Sequence, residues 1–391
     1  MTDIFDKRGL RRVINVSGTE TPFGASPVRP EVIAAINEIV PHSVLMRELQ
    51  SAASEVIARA TGAEAGCVTG CTAAGIVIAV AACMTGRDLG RVEQLPDTKG
   101  MKDEVVMQKG HEITYGHNVS QNVRIAGATL IEIGAATQCG VYQLEHAISA
   151  STAAALYVVS PLTVQNRLID LKSFCAACHQ HDVPVIVDAA SVSDPRPYVE
   201  AGGDLVLFSA HKQFSSITAG VIAGPLTLVQ ACIYQEHGIG RPMKVGKEGV
   251  AGAIAALEAW MTDDRDQARR DLNARLQRVE SHLKKIPGMA ASIQGTQIRL
   301  DIDRSRALIS AYGLAKALFA GDPAIIVWSQ FAREGMLLLT FGKVTDAIAD
   351  HVCERIAAIC AAGSNEQEPV PNIGDVIADQ LHDWPVALKR S

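Results

Sequence analysis

The sequence lacks an excess of basic residues and any long uninterrupted apolar run. Its 36 Lys and Arg residues against 42 Asp and Glu residues give a formal net charge of −6, which offers no general attraction to nucleic acid or to anionic membranes. Gly or polar residues interrupt the apolar stretches before membrane-spanning length, and no apolar segment follows Met1. We therefore expect a cytoplasmic protein with no membrane segment and no nucleic-acid partner.

The sequence also lacks the even, regularly spaced cysteines of a disulfide-bonded secreted domain. Its nine cysteines are odd in number and scattered through apolar patterns, so most are expected to be reduced core residues. The run Cys175-Ala-Ala-Cys178-His179 matches the attachment motif of c-type haem. Because it lies in the pattern of an amphipathic helix, we expect no haem there, and we predict no metal site.

The apolar residues that are present predict an α/β protein. Short runs of Val, Ile and Leu alternate with helical patterns, which is typical of a mostly parallel sheet with helices packed on it. Seven such runs predict one large sheet. The predicted strands begin at Gly66, Glu104, Thr129, Ala155, Val185, Leu205 and Ala219.

The length of 391 residues favours a large domain joined to a smaller one. The helical pattern continues strongly to about Lys285, and strand-like runs resume after it. We predict five parts: an N-terminal segment at 1–45 that borders the active site, a large cofactor-binding domain at 46–250, a connecting helix at 251–285, a small α+β domain at 286–362, and a linker with a terminal arm at 363–391.

Lys212 is the most informative residue of the chain. It follows the apolar run Leu205-Val-Leu-Phe, and Asp188 ends the apolar run Val185-Ile-Val upstream of it. An amine and a carboxylate placed after strands in this order suit a pyridoxal phosphate (PLP) site, in which the lysine forms a Schiff base and the aspartate keeps the pyridine nitrogen protonated. We predict PLP as the cofactor, with Lys212 and Asp188 as catalytic residues.

Small residues between the first of these predicted strands and an apolar helix form a candidate phosphate site. Their backbone N–H groups would lie at a helix N-terminus, where an anion is stabilised. A tight strand-to-helix turn without a ligand is the alternative for this motif taken alone. The candidate phosphate contacts are Gly70, Cys71, Thr72 and Ala73, and the further predicted cofactor contacts are Ser191, Ser209 and His211.

Other polar residues are predicted near the cofactor ring and the substrate. His111 follows the strand that begins at Glu104, at the rim where ligands gather in such sheets, so its ring can stack on the pyridine and we count it as catalytic. Glycines and cations between Gly238 and Lys247 suit a carboxylate or a phosphate. The predicted substrate-binding residues are His117, Arg241 and Lys244.

With these residues in view, the chain resembles the fold-type I PLP-dependent enzymes. Within them it is similar to the branch of selenocysteine synthase-like proteins and D-glucosaminate-6-phosphate ammonia-lyases, and the resemblance covers most of residues 5 to 360. The segments that carry it are Val13-Ile-Asn-Val-Ser-Gly, Lys109-Gly-His111, Val185-Ile-Val-Asp188-Ala-Ala, and the stretch from Gly238 to Gly249.

The resemblance implies a role for several residues and an assembly. It makes Lys212 the Schiff-base lysine, Asp188 the partner of the pyridine nitrogen and His111 the neighbour of the ring, with Thr72 and Ser209 in contact with the phosphate. It also implies the transferase fold of this class, a homodimer or higher homo-oligomer, and sites shared between subunits. The stretch after Lys212 departs from the family, where a smaller, glycine-containing turn is expected.

The activity we predict is that of a PLP-dependent ammonia-lyase. Its substrate would be a β-hydroxy amino acid, such as D-glucosaminate or its 6-phosphate, converted to a 2-keto acid and ammonium. His117, His111 and Lys212 are alternatives for the general acid. The alternative activities are an amino acid racemase or epimerase, an aminotransferase and, more distantly, a selenocysteine synthase-like transferase acting on aminoacyl-tRNA.

Overall fold

The computed structural model describes residues 3–363, together with Asn372 and Gly374. Helices and strands follow one another throughout residues 3–363. Fourteen α-helices lie in this part of the chain. They are α1 Ile4–Arg8, α2 Pro30–Ile39, α3 Met46–Thr61, α4 Thr72–Thr85, α5 Leu89–Gln94, α6 Val119–Ile125, α7 Val141–Ala147, α8 Leu171–His179, α9 Arg196–Glu200, α10 Leu226–Tyr234, α11 Lys247–Thr262, α12 Arg265–Leu283, α13 Ala311–Ala320 and α14 Asp346–Ala362.

Twelve β-strands form three sheets within the same residues. The strands are β1 Val13–Asn15, β2 Ala65–Thr69, β3 Glu104–Gln108, β4 Thr129–Ile133, β5 Thr152–Val158, β6 Val185–Asp188, β7 Leu205–Ser209, β8 Gly220–Gly224, β9 Met289–Gln294, β10 Gln297–Ile302, β11 Ala324–Ile326 and β12 Met336–Thr340.

The large sheet has seven strands in the order β2-β8-β7-β6-β5-β3-β4. Neighbouring strands are parallel except where β8 pairs, antiparallel, with β2 and with β7. β2, β3, β5, β6 and β7 therefore end at the same edge of the sheet. All seven predicted strands are present, and the predicted mostly parallel sheet is confirmed.

Burial on both faces explains why the central strands are continuously apolar. In β7, Leu205 and Leu207 belong to the cluster formed with α4, α6 and α10, whereas Val206 and Phe208 face clusters on the opposite side, formed with α8 and with α3 and α11. The α4 helix is apolar on all sides, as expected of a helix buried against a sheet. Helices thus cover both faces, as predicted.

Two compact units divide the described chain. One comprises residues 24–263 and holds the large sheet, and the other comprises residues 3–23 and 264–363. The helical pattern across 251–285 forms two helices, because α11 ends at Thr262 and the Asp264 side chain caps α12 by accepting from the Gln267 N–H at 2.9 Å. The domain limits predicted from the sequence remain a proposal, and most of the predicted terminal arm, 363–391, lies outside the described residues.

The second unit contains an antiparallel sheet in the order β12-β10-β9 and the parallel pair of β1 and β11. Its core lies between these sheets and α12, α13 and α14. The predicted strand runs of this region correspond to β9, β10, β11 and β12. The sequence did not reveal β1 as a strand, because three residues are too few to show an alternating pattern.

Within the described residues, we find no helix that combines the length and the apolar character needed to cross a bilayer.

Candidate active site

The edge at which the parallel strands end gathers the predicted site residues in the unit formed by residues 24–263. Asp188 ends β6, and Lys212 lies in the turn after β7. His111 ends a 3₁₀ turn directly after β3, and Cys71 follows β2. Ligands of open α/β sheets bind at this edge, outside the carboxyl ends of the strands.

Asp188 is a buried carboxylate, 5% exposed. The Ala190 N–H donates to its Oδ1 at 3.1 Å. Burial raises the pKa of Asp188 to about 6, although the Ala190 N–H and the charge of Lys212 act in the opposite direction. A carboxylate held in this environment is well suited to a cationic partner such as a protonated ring nitrogen.

Lys212 is partly buried, and its charge acts on Asp188. Its position is fixed through the backbone, because the Ser26 hydroxyl donates to the Lys212 carbonyl oxygen at 2.7 Å. Ser215 in the same turn has φ +58°, a left-handed conformation that glycine adopts most easily. The family resemblance led us to expect a glycine in this stretch, and here a serine adopts the conformation instead.

The segment between β2 and α4 is tightly packed. Cys71 caps α4, with its Sγ accepting from the Ala74 N–H at 3.4 Å. A Cβ on Gly70 would lie 2.8 Å from the Met243 carbonyl oxygen, and a Cβ on Gly220 of β8 would overlap the backbone of Cys71. Glycine at both positions therefore lets this turn lie directly against β8 and the segment around Met243.

Two buried polar atoms near this turn lack a hydrogen-bond partner among the described residues, namely Thr72 Oγ1 and His211 Nε2. Ser209 Oγ and His211 Nδ1 are 3.0 Å apart. Burial, together with the charge of Lys212, lowers the pKa of His211, which favours the neutral ring. An unsatisfied buried donor is costly, and a bound phosphate would satisfy both groups.

Replacing Thr72 with valine tests this assignment. We expect Thr72→Val to weaken PLP binding about 10-fold, the loss of one hydrogen bond to a charged phosphate. The PLP-free protein should keep its stability or gain about 1 kcal/mol, because an unsatisfied buried hydroxyl is removed. Titration of the PLP-free protein followed by absorbance and thermal unfolding measures both quantities.

Thr85→Val is the matched control on the same helix. The Thr85 hydroxyl is also buried, but it donates to the Ala81 carbonyl at 2.9 Å and accepts from Gln235 Nε2 at 2.8 Å. Its loss should destabilise the protein by about 1–2 kcal/mol and leave PLP affinity unchanged. Equal PLP affinity of Thr72→Val and the unaltered protein would contradict the assignment.

His111 is completely buried. Its Nδ1 accepts from the Val158 N–H at 3.2 Å, so its Nε2 carries the proton that it donates to Gln165 Oε1 at 2.9 Å. Burial lowers its pKa, and its ring meets Tyr157 edge-on at 4.4 Å. Both nitrogens are thus occupied within the protein and the ring is neutral. The fully buried ring presents no exposed face to a cofactor, so the stacking role stays a prediction, and the two hydrogen bonds make His111 a poor source of protons.

Sequence reasoning missed Tyr115. This residue lies in the loop between β3 and α6. Burial is the main cause that raises its pKa, and the charges of Asp188 and Cys71 act in the same direction. The Asn122 side chain donates to its hydroxyl oxygen, and the ring of His117 meets its ring edge-on at 4.9 Å. The only sequence signal was the polar character of the stretch from His111 to Arg124.

The predicted substrate cations lie beside the turn between β2 and α4. The Gly70 N–H donates to the Met243 carbonyl oxygen at 3.3 Å, which brings the backbone of the segment from Arg241 to Lys244 to this turn. Both Arg241 and Lys244 are exposed. Lys247 has a structural role instead, since its Nζ donates to the carbonyl oxygens of Val40, at 2.8 Å, and of His42.

The remaining predicted contact residues are characterised by their position and burial. Ser191, three residues after Asp188, and His117, in the loop with Tyr115, are both half-buried. Ala73 lies in the first turn of α4, directly after Thr72. The structure thus places Asp188, Lys212 and Cys71 at one edge of the sheet, and the roles of all the predicted site residues remain predictions.

Comparison with known proteins covers all of these residues. A family model described as SelA, L-seryl-tRNA selenium transferase, matches residues 13–317. The D-glucosaminate-6-phosphate ammonia lyase of Salmonella typhimurium is 36% identical over 345 residues, 86% of this chain and 92% of that protein. A 5'-C-glycyluridine monooxygenase-decarboxylase of a Streptomyces species is 36% identical over 326 residues, 81% of this chain and 82% of that protein.

A solved structure of D-glucosaminate-6-phosphate ammonia-lyase is similar to this chain in three dimensions. The two chains are 34% identical and superpose with a TM-score of 0.83, over 93% of this chain and 99% of the other. The similarity therefore extends through both units of the chain and across the whole sheet edge described above.

Proposed function

Because the chain belongs to the L-seryl-tRNA selenium transferase family, we propose that it is a PLP-dependent ammonia-lyase acting on a β-hydroxy amino acid derived from a sugar. The predicted family and the fold-type I transferase fold are confirmed. The observation that carries the proposal is the 36% identity, over 86% of the chain, to a D-glucosaminate-6-phosphate ammonia lyase.

The residues at the sheet edge fit PLP, the cofactor of this fold family. Thr72 Oγ1 and His211 Nε2 are buried polar atoms without partners among the described residues, and they suit its phosphate. Asp188 suits its ring nitrogen, and Lys212 supplies the amine that holds it. When bound, PLP accepts the electrons left on the substrate carbon after a proton is removed.

The chain's own residues then have separable tasks. Lys212 Nζ, released by the substrate amine, accepts the proton from Cα. Asp188 stays ionised opposite the ring nitrogen, because a cation beside it counteracts the effect of burial on its pKa. His111 keeps its ring in place through Val158 and Gln165.

Ammonium release under exclusion of oxygen is the decisive experiment. We expect the PLP-loaded protein to form equimolar 2-keto acid and ammonium from D-glucosaminate 6-phosphate or a related 2-amino-3-hydroxy acid. The rate should be the same with and without oxygen and should require no keto-acid acceptor. Lys172→Ala, an exposed residue of α8, serves as a control for the preparation.

Each competing activity predicts a different outcome. The second relative, a monooxygenase-decarboxylase, makes oxygen-dependent release of carbon dioxide the rival result. Racemisation without ammonium, or turnover only with a keto-acid acceptor, would indicate a racemase or an aminotransferase. Salt-sensitive binding of tRNA would favour the transferase, for which the net charge of −6 gives no support.

Lys244 and Arg241 are proposed to bind the anionic groups of the substrate. We expect Lys244→Ala to raise KM for a phosphorylated sugar amino acid about 10-fold with a smaller change in kcat, because an exposed cation contributes mainly to binding. Arg87→Ala, an exposed arginine that donates to Gln230, should change neither constant. A Lys244→Ala variant with unaltered KM for phosphorylated and unphosphorylated substrates would remove Lys244 from this role.

We further propose that the enzyme acts in the cytoplasm as a homodimer or higher homo-oligomer. This rests on family membership, because sites shared between subunits are usual in enzymes of this fold. Light scattering of the purified protein across a concentration range tests the assembly, and a monomeric, fully active enzyme would contradict it.

A further inference from the structure

We propose that Tyr115 is the general acid that gives a proton to the β-hydroxyl group as it leaves the substrate. The inference rests on the proposed function and names the residue that performs one of its steps. It follows from the position of Tyr115, from the hydrogen bond that Asn122 donates to its hydroxyl oxygen, and from the hydrogen bonds and roles of the other proton-bearing groups at the sheet edge.

The phenol lies inside the candidate site. It is within electrostatic range of Asp188, the proposed partner of the ring nitrogen, and of Cys71, which caps the helix beside the proposed phosphate site. Tyr115 also lies in the loop that follows β3, at the same edge of the sheet as the carboxyl end of β6. Tyr115 is also 40% exposed, so its ring is accessible to an incoming molecule.

Asn122 orients the hydroxyl group. Its side chain is 2% exposed, and its Nδ2 donates to the Tyr115 oxygen. Because the oxygen is the acceptor in this bond, its own hydrogen remains available to donate in another direction. The ring of His117 supports the phenol from the side. The buried amide and the adjacent ring together fix the direction in which the proton is offered.

The phenol keeps its proton at neutral pH. Tyr115 is only partly buried, but that partial burial raises its pKa to about 12. The charges of Asp188, Cys71 and Glu112 act in the same direction, while the Asn122 hydrogen bond acts against them. A departing hydroxide is more basic still, so the proton transfers only as the carbon–oxygen bond breaks. A general acid of this kind contributes about 10²–10⁴-fold to such a step.

Other proton-bearing groups at the sheet edge already have hydrogen bonds or another role. Both nitrogens of His111 are hydrogen-bonded within the protein. His211 is bound to Ser209 through Nδ1, and burial lowers its pKa. Lys212 is needed to accept the Cα proton. His117 remains as the rival, and it is in contact with Tyr115, so the experiment must separate these two residues.

The step is balanced without any co-reactant besides water. Lys212 Nζ takes the Cα proton, and the electron pair left on Cα forms the Cα–Cβ double bond. The β-carbon–oxygen bond breaks at the same time, and its own electron pair passes to the oxygen. The Tyr115 proton joins that oxygen to form water, and the phenolate regains a proton from solvent. Hydrolysis of the released unsaturated amine consumes one water molecule and gives the 2-keto acid and ammonium.

Leaving-group dependence tests the assignment. Tyr115→Phe should lower kcat for ammonium release from the β-hydroxy substrate about 10²-fold or more. It should leave elimination from a β-chloro amino acid within about threefold of the unaltered enzyme, because chloride departs without a proton. Exchange of the Cα proton in deuterated water, followed by NMR, should also persist. Asn122→Ala should show the same pattern with a smaller loss.

Two controls complete the design. Tyr142→Phe removes a phenol that is 72% exposed on α7, and it should leave both rates unchanged. In the PLP-free protein labelled at tyrosine Cζ with ¹³C, the resonance that Tyr115→Phe removes should keep the shift of the neutral phenol up to about pH 10. The groups that face this phenol during the titration are Asp188, Cys71, Glu112, Asn122 and His117.

The outcomes separate this inference from the proposed function. Equal loss of Tyr115→Phe activity on hydroxy and chloro substrates, unaltered activity on both, or ionisation of the phenol well below pH 10 would overturn the inference alone. A His117→Gln variant that shows the leaving-group pattern while Tyr115→Phe does not would assign the acid to His117. If the unaltered enzyme releases no ammonium from any β-hydroxy amino acid, the proposed function fails and this inference fails with it.

Discussion

Lys212→Ala is expected to lower kcat at least about 10⁴-fold, the largest effect of any single change we consider. The substitution removes both the amine that holds PLP and the base that accepts the Cα proton, and each role contributes strongly to the rate. The fold should persist, because Lys212 is held by its carbonyl oxygen, which accepts from Ser26, a bond that alanine retains. Steady-state ammonium release and thermal unfolding measure the two properties.

Chemical trapping makes the result specific to this position. Borohydride reduction of the PLP-loaded protein should fix the cofactor on Lys212, and digestion with mass spectrometry should find one labelled peptide. Lys172→Ala should label and turn over as the unaltered protein does. A label on another lysine, or activity of Lys212→Ala within about tenfold of the unaltered enzyme, would refute the assignment.

Asp188→Asn is expected to lower kcat about 10³-fold, since a neutral amide cannot stabilise a protonated ring nitrogen as a carboxylate does. The same change should stabilise the PLP-free protein at neutral pH by up to about 3 kcal/mol. The reason is that burial raises the pKa of Asp188 to about 6, so ionisation is less favourable in the folded than in the unfolded chain. A gain in stability accompanied by a loss of activity would show that the Asp188 carboxylate is required for activity although it destabilises the folded protein.

The sign of the pH dependence follows from this raised pKa. Between about pH 4 and pH 6 the folded protein holds a proton on Asp188 that the unfolded chain has released, so the free energy of unfolding falls as the pH rises through this range. Asp188→Asn should lack this fall. Denaturant titrations of the PLP-free proteins at pH 4.5 and 7.5 give the comparison. The same change in the free energy of unfolding between these pH values in both proteins would argue against a raised pKa of Asp188.

Much of the large sheet could be predicted because its central strands are buried on both faces. Continuous apolar runs such as those of β6 and β7 leave little choice of structure. The chemistry was readable for the same reason, since Asp188 and Lys212 are polar residues placed directly after such runs. The turn between β2 and α4 was recognisable from its small residues and the apolar helix behind it.

Other features depend on contacts that no local pattern records. The break between α11 and α12 arises at two adjacent aspartates. Arg29 Nη1 donates to Asp263 Oδ1 at 2.9 Å, and the Asp264 side chain caps α12. In the sequence, both aspartates resemble part of an exposed helical face. Tyr115 was missed because its place is set by the path of a loop and by the hydrogen bond from Asn122, and neither has a periodic signature.

The hydrogen bond from the Gly70 N–H to the Met243 carbonyl joins the turn between β2 and α4 to the segment around Met243 through main-chain atoms alone. The bond therefore does not depend on the side chains at positions 241 and 244. Substitutions at these two positions should leave the turn between β2 and α4 in place. Position 70 has no such latitude, because any larger residue would push the two segments apart.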